Sequence, residues 1–200
     1  MSRSFLHANA IAAMVILAGC ASAPDPREGM EEVKLSAAVS PPQADPSSYP
    51  AEQVEHGRYM VGLLGCGNCH TDGALIGEPN PARLLAGSEV GIAWSNPLED
   101  KNPGVVFPAN LTPDRQTGIG SWSVKDIVTM LQSGIDNHGS RSLPVMPWQT
   151  YSRLTSEDAQ AIAAYLKSLP PVAHQVPANV RPGHRTKNIY VHFGIYRSQL

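Results

Sequence analysis

Apolar residues recur at helical spacing in three stretches of this chain, and each stretch is bounded by residues that start or stop helices. The pattern predicts one helix that begins near Pro50 and two more that run over 124–133 and over 156–169. Ser123 and Gly134 mark the start and the end of the second helix. Thr155 and Pro170 mark the start and the end of the third.

Between the first two helices, residues 71–120 show no sustained apolar period. Six prolines interrupt this stretch, and it carries no strand or hairpin pattern of any strength. A loop this long is uncommon inside a folded domain unless it wraps around something. The sequence therefore predicts an all-α fold, in which a small helical domain with long loops surrounds an apolar group.

The N-terminus has the features of an export signal. Arg3 supplies a positive charge, and residues 8–18 are apolar but too few to span a membrane comfortably. A Leu-Ala-Gly run before Cys20 resembles the processing site of bacterial lipoproteins, which predicts a signal peptide over 1–19 and lipidation of Cys20. The alternative is ordinary secretory cleavage nearby, with Cys20 incidental or removed. Both alternatives export the chain. With Cys20 lipidated, we expect a membrane-anchored protein of the cell envelope that faces the periplasm.

The rest of the chain divides by composition. Residues 20–49 are rich in Pro, Ala and Ser and predict a flexible lipidated tether, with a strap packed on the domain as the alternative. Residues 50–173 form the predicted domain. Residues 174–200 mix Pro, basic and aromatic residues and predict either a docking surface for a partner or the membrane, or a strap across the domain. The net charge of −2 and the lack of a basic stripe argue against a nucleic-acid partner.

The most specific motif is Cys66-Gly67-Asn68-Cys69-His70. It has the spacing for one covalently attached haem c, because two thiols on one helical turn can each add to a vinyl group while the adjacent His70 donates its imidazole to iron. A zinc site would need about four ligands, and no further cysteine is free. A thioredoxin-like motif would need a preceding strand, which the pattern lacks.

Met146 is the predicted second axial ligand. It lies between Pro144 and Pro147 just before the last helix, and flanking prolines hold such a segment extended and stiff. Met130 falls inside a predicted helix, and His138 is the second candidate. A His/Met pair closes both axial positions of the iron, which suits electron transfer rather than substrate binding.

These residues resemble class I cytochromes c, and in particular the haem domain of cytochrome subunits of bacterial membrane-linked dehydrogenases for alcohols, sugars and related substrates. The resemblance covers about 50–173. Besides the haem motif, it is carried by Gly57-Arg58-Tyr59, Leu85-Ala86-Gly87, Asn110-Leu111-Thr112-Pro113-Asp114, Thr117-Gly118-Ile119-Gly120-Ser121-Trp122, Met146-Pro147-Trp148 and Ala161-Ile162-Ala163-Ala164-Tyr165-Leu166-Lys167-Ser168-Leu169-Pro170.

The resemblance implies that Gly57 and Tyr59 of the first helix meet the region of Tyr165 in the last helix. It also implies that residues from Asn110 to Trp122 line the propionate side of the haem. The indole N–H of Trp122 would then donate to a propionate, with a plain core tryptophan as the alternative. Two features depart from the family: this chain has one haem motif where three haem domains are common, and a predicted lipid where a transmembrane anchor is common.

The expected function is electron transfer from a dehydrogenase toward the respiratory chain, by a fixed subunit or a tethered shuttle. No nucleophile–histidine–acid arrangement can be read from the sequence, so we expect no catalytic residues. The alternative is a peroxidase-like enzyme or a gas sensor with an open haem. That alternative requires Met146 to be absent from the iron or displaceable.

Overall fold

The structure is a computed structural model that describes residues 29–33, 38–97, 99–136, 138–139, 142–143 and 145–193. Cys20 and the predicted signal peptide lie outside these residues. The α-helices are α1 (Ala51–Leu63), α2 (Cys66–His70), α3 (Val124–Ser133), α4 (Trp148–Tyr151) and α5 (Ser156–Lys167). The strands are β1 (Gly91–Ala93), β2 (Val105–Val106) and β3 (Tyr190–His192). Within the described part of the chain, no helix has the length and apolarity needed to cross a membrane.

The three helices predicted from the apolar pattern are confirmed as α1, α3 and α5. The start of α3 has the predicted cap, because Ser123 Oγ accepts from the Asp126 N–H while the Asp126 carboxylate accepts from the Ser123 N–H. Gly134 ends α3 in the left-handed region, at φ +68°. α5 begins as predicted and ends at Lys167, two residues before the predicted end.

α1 and α5 cross at close range in the centre of the core. Gly57 permits this approach, since a Cβ there would collide with the Ala161 carbonyl and lie 2.7 Å from Tyr165 Cβ. The implied contact between Gly57 and the Tyr165 region is therefore confirmed. The implied contact of Tyr59 is wrong: its side chain is 62% exposed, because a residue two positions after Gly57 projects from the opposite side of the helix.

The all-α prediction is incomplete, because the long loop and the tail form a small sheet. β1 is the central strand, antiparallel to β2 and parallel to β3, with Ile92 paired to Val106 and to Val191. The strands are two or three residues long, too short to show a period of two in the sequence. The stretch 71–120 is thus ordered in part by pairing with the C-terminal residues.

Residues 38–49 pack on the domain as an N-terminal strap. Tyr165 Oη donates to Pro42 O at 2.7 Å, and the Asp45 N–H donates to Ser168 O at 2.9 Å. A buried tyrosine hydroxyl and a carbonyl at a helix end thereby find partners in the strap. Residues 38–49 therefore match the strap packed on the domain rather than the flexible tether. The predicted boundary between this segment and the domain, at residue 49, stays a prediction.

Residues 174–193 form a C-terminal strap across the domain. Val180 exchanges two backbone hydrogen bonds with Val105, at 2.9 and 2.8 Å, and β3 pairs with β1 further along. Residues 174–193 therefore match the strap, one of the two alternatives that the sequence left open for the tail. A docking role for the same surface stays a prediction.

Candidate functional site

Cys66 and Cys69 lie one turn apart on α2, as the motif predicts. The chain turns sharply into α2 at Gly65, which has φ +67° in the left-handed region. Both cysteines are free thiols. Cys66 packs against the helical core cluster, and Cys69 packs against a second buried cluster formed by Leu75, Val90 and Ile92. The two thiols therefore border two apolar regions of the same domain.

Burial raises the pKa of both thiols, to about 11 for Cys66. Both cysteine side chains therefore lie in apolar surroundings, which suit attachment to an apolar group.

His70 is held by a backbone carbonyl, because its Nδ1 lies 2.7 Å from Ala109 O. A carbonyl only accepts, so Nδ1 carries the proton and the lone pair of the neutral ring lies on Nε2. Burial lowers the pKa of His70, and the bond to Ala109 opposes this only in part. A neutral imidazole with a fixed tautomer is the form that binds a metal ion. Ala109 was not predicted, since a backbone carbonyl leaves no side-chain signal in the sequence.

The run Leu85-Ala86-Gly87 fixes the backbone on both sides of this hydrogen bond. The Gly87 N–H donates to His70 O at 2.9 Å, and the Leu111 N–H donates to Leu85 O at 2.8 Å. Leu85 is buried and has φ +57°, a left-handed conformation that is uncommon for any residue with a side chain. The run thereby connects the haem motif to the segment that carries Ala109.

Val145 and Met146 contact the same two apolar clusters as the cysteines. Met146 packs against the core cluster, as Cys66 does, and Val145 packs against the second cluster, as Cys69 does. His138 is exposed, with its backbone N–H donating to Asp136 Oδ1 at 2.9 Å. The packing therefore favours Met146 over His138, while ligation of iron by Met146 stays a prediction.

Asn110 is the centre of a buried polar network. Its Oδ1 accepts from the N–H and the Oγ1 of Thr112, at 2.9 and 2.7 Å. Its Nδ2 donates to Thr117 Oγ1 at 3.1 Å and to Val172 O at 2.8 Å. Both lone pairs and both N–H groups of the amide are thus used inside the protein. Asn110 therefore has a structural role, and its predicted contact with the cofactor stays a prediction.

Trp122 packs against the core cluster, and Lys167 fixes its backbone. The Lys167 ammonium donates to Trp122 O at 2.9 Å and to Gly120 O at 3.0 Å. Burial lowers the pKa of Lys167, so the carbonyl oxygens replace part of the water that the ammonium has lost. The propionate role of the Trp122 indole stays a prediction.

A charged cluster ties the C-terminal strap to the residues that follow the haem motif. Arg83 Nη1 lies 2.8 Å from Asp72 Oδ2, 2.9 Å from Glu89 Oε1 and 3.0 Å from His174 Nε2. Ligand atoms of Asp72, Glu89 and His174 lie within 4.8 Å of one another, a spacing that suits a metal ion. The guanidinium of Arg83 already supplies a cation there. These residues are spread over a hundred positions, so no sequence motif indicates the cluster.

Comparison with curated proteins finds relatives that are dehydrogenase subunits or cytochromes c. The chain is 34% identical over 143 residues to a nicotinate dehydrogenase subunit of Pseudomonas putida, a match that covers 72% of this chain and 11% of the relative. It is 30% identical over 128 residues to the fructose dehydrogenase cytochrome subunit of Gluconobacter japonicus, which covers 64% and 24%. It is 36% identical over 127 residues to a diheme cytochrome c-type protein of Cereibacter sphaeroides, which covers 61% and 37%. No protein-family model matches the chain.

The haem motif and the fixed histidine thus lie in a chain whose relatives are cytochromes c and dehydrogenase subunits. More particularly, the chain is a homologue of the cytochrome c subunits of bacterial dehydrogenases, which confirms the resemblance carried by its motifs. A cytochrome c fold follows from the same relatives. The chain spans between about a tenth and somewhat more than a third of the length of the relatives described above.

Proposed function

We propose that this chain is an electron carrier with one haem c bound covalently to Cys66 and Cys69, and with His70 and Met146 as the axial ligands. The observation that carries the proposal is the 2.7 Å hydrogen bond from His70 Nδ1 to Ala109 O, beside two free cysteines on the same helical turn. When bound, the haem supplies a one-electron iron couple.

The residues of the chain tune and shield this couple. Ala109 keeps the His70 imidazole in one tautomer and one orientation, which raises the basicity of its Nε2. Met146 would supply its thioether as the second iron ligand, which favours the reduced state relative to a second histidine. The two apolar clusters that border Cys66 and Cys69 cover part of both cysteine side chains and limit the access of water to them.

The partners and the location belong to the same proposal. Relatives are named as cytochrome subunits of dehydrogenases for fructose, alcohol and gluconate, which supports a dehydrogenase as electron donor. The sequence supports lipidation of Cys20 and thus a membrane-anchored carrier that faces the periplasm and passes electrons toward the respiratory chain. The relatives do not favour the open-haem enzyme or sensor.

The test is the variant Met146→Ala in the full, haem-loaded chain. We expect loss of the sulfur-to-iron absorption band of the oxidised protein, a lower reduction potential and rapid binding of carbon monoxide to the reduced protein, because one axial position opens. Met60→Ala is the matched control, since Met60 also packs against the core cluster but lies on α1. A wild-type protein that lacks the band and binds carbon monoxide at once would instead support the open-haem alternative.

A further inference from the structure

The loop that carries Met146 is closed at its base by Gly134. The Gly134 N–H donates to Met130 O at 2.9 Å, which ends α3. The Gly134 carbonyl accepts from the Ser142 N–H at 2.7 Å, which returns the loop to the end of the helix. Gly134 is therefore fixed to α3 on one side and to the loop on the other.

Trp148 lies directly against Gly134. A Cβ built on Gly134 would lie 2.6 Å from Cδ2, 2.7 Å from Cγ and 2.9 Å from Cδ1 of the indole, all closer than real Cβ contacts come. Because three atoms of one ring are nearly equidistant from that point, the face of the indole covers the α-carbon of Gly134. A side chain at position 134 would have to displace the ring.

Trp148 is also joined to Met146 within one tight turn. The Trp148 N–H donates to Met146 O at 2.8 Å, and the Met146 N–H donates to Leu143 O at 3.3 Å. The position of the indole therefore fixes the turn that presents the thioether. Through the indole of Trp148, Met146 is thus linked to the end of α3, beside the hydrogen bond from the Ser142 N–H to Gly134 O.

We propose that Gly134 and Trp148 are a positioning pair for the axial ligand Met146, an inference that rests on the proposed function. A helix C-terminus alone requires only a residue that tolerates positive φ, and asparagine is often used there. Position 134 has a second requirement, the absence of a Cβ, and that requirement is set by Trp148. The pair holds the thioether at one place relative to α3, so the iron stays closed.

Gly134→Ala in the full, haem-loaded chain tests the pair, and Gly139→Ala is the matched control. Gly139 lies in the same loop at φ +80°, yet a Cβ there meets nothing within 4 Å. Both variants carry the strain of a left-handed alanine, but only Gly134→Ala displaces the indole. Well below the melting temperature, we expect Gly134→Ala to lose the sulfur-to-iron band and to bind carbon monoxide when reduced, and Gly139→Ala to keep the wild-type behaviour.

Trp148→Leu keeps the inference testable if Gly134→Ala does not fold, since it leaves Gly134 intact and removes the ring. We expect the same loss of the band. Met146→Ala, measured beside them, separates the two proposals. If Met146→Ala keeps the band, the proposed ligand is wrong and the pair has nothing to position. If Met146→Ala loses the band while Gly134→Ala or Trp148→Leu keeps it in the folded protein, the ligand stands and the positioning pair is overturned.

Discussion

Asn110 directly follows Ala109, the residue whose carbonyl holds His70. The Asn110 side chain joins Thr112 and Thr117 on the loop to Val172 after α5. A network of this kind fixes the backbone of its neighbours, because Asn110 and Thr112 are buried and Thr117 and Val172 are partly buried, so their bonds exchange poorly with water. Asn110 thus acts on His70 through the position of Ala109.

The prediction at this scale is that Asn110→Ala destabilises the haem-loaded protein by about 3 kcal/mol, because four hydrogen bonds are lost and buried polar groups lose their partners. Urea denaturation measures the change. Asn80→Ala is the control: the Asn80 side chain accepts one bond, from the Ala82 N–H, and its loss should cost about 1 kcal/mol or less. Equal effects of the two variants would contradict the central role of Asn110.

At the scale of elements, the crossing of α1 and α5 depends on one missing side chain. Gly57→Ala should destabilise the protein by about 2 kcal/mol, because the overlap with Ala161 and Tyr165 outweighs the better helix propensity of alanine. Gly62→Ala on the same helix is the matched control, since its nearest neighbour would be Pro41 Cγ at 3.2 Å. Thermal unfolding should show a clear loss for Gly57→Ala and little change for Gly62→Ala. Similar melting of both variants would mean that the helices can separate without loss.

The elements also show what the sequence can predict. α3 and α5 were predicted at their starts because Ser123 and Thr155 are local signals, read within a few residues. β1 was not predicted, since three residues carry no period and its partner β3 lies in the tail. At the site, side-chain ligands form motifs, whereas the Ala109 carbonyl that orients His70 has no sequence signature.

At the scale of the whole molecule, the two straps, residues 38–49 and 174–193, pack across the surface of the small helical domain. Composition predicts a flexible tether or a strap for residues 20–49, and a docking surface or a strap for residues 174–200. The contacts observed for residues 38–49 and 174–193 are made one at a time by backbone groups and single side chains. Such contacts depend on the rest of the fold. A pattern-based prediction therefore could not single out the strap from the tether at the N-terminal side or from the docking surface at the C-terminal side.

The corresponding prediction concerns the C-terminal strap. A chain that ends at Pro177 should lose about 3 kcal/mol, because it lacks the two bonds between Val180 and Val105 and the bond from the Gly91 N–H to Ile189 O. A chain that ends at Phe193 retains every described contact of the strap and should match the full chain. Denaturation of the haem-loaded proteins compares the three. Equal stability of all three would favour the docking role of the tail over the strap.

The parallel pairing of β1 with β3 has a consequence for the order in which the protein assembles. Gly91 pairs with Tyr190, 99 positions later, so the sheet beside Cys69 cannot close until nearly the whole chain is present. A chain that arrives N-terminus first presents Cys66, Cys69 and His70 well before that moment. The cysteine motif is therefore accessible before the sheet beside it can form, and pairing of β1 with β3 is among the last contacts of the fold.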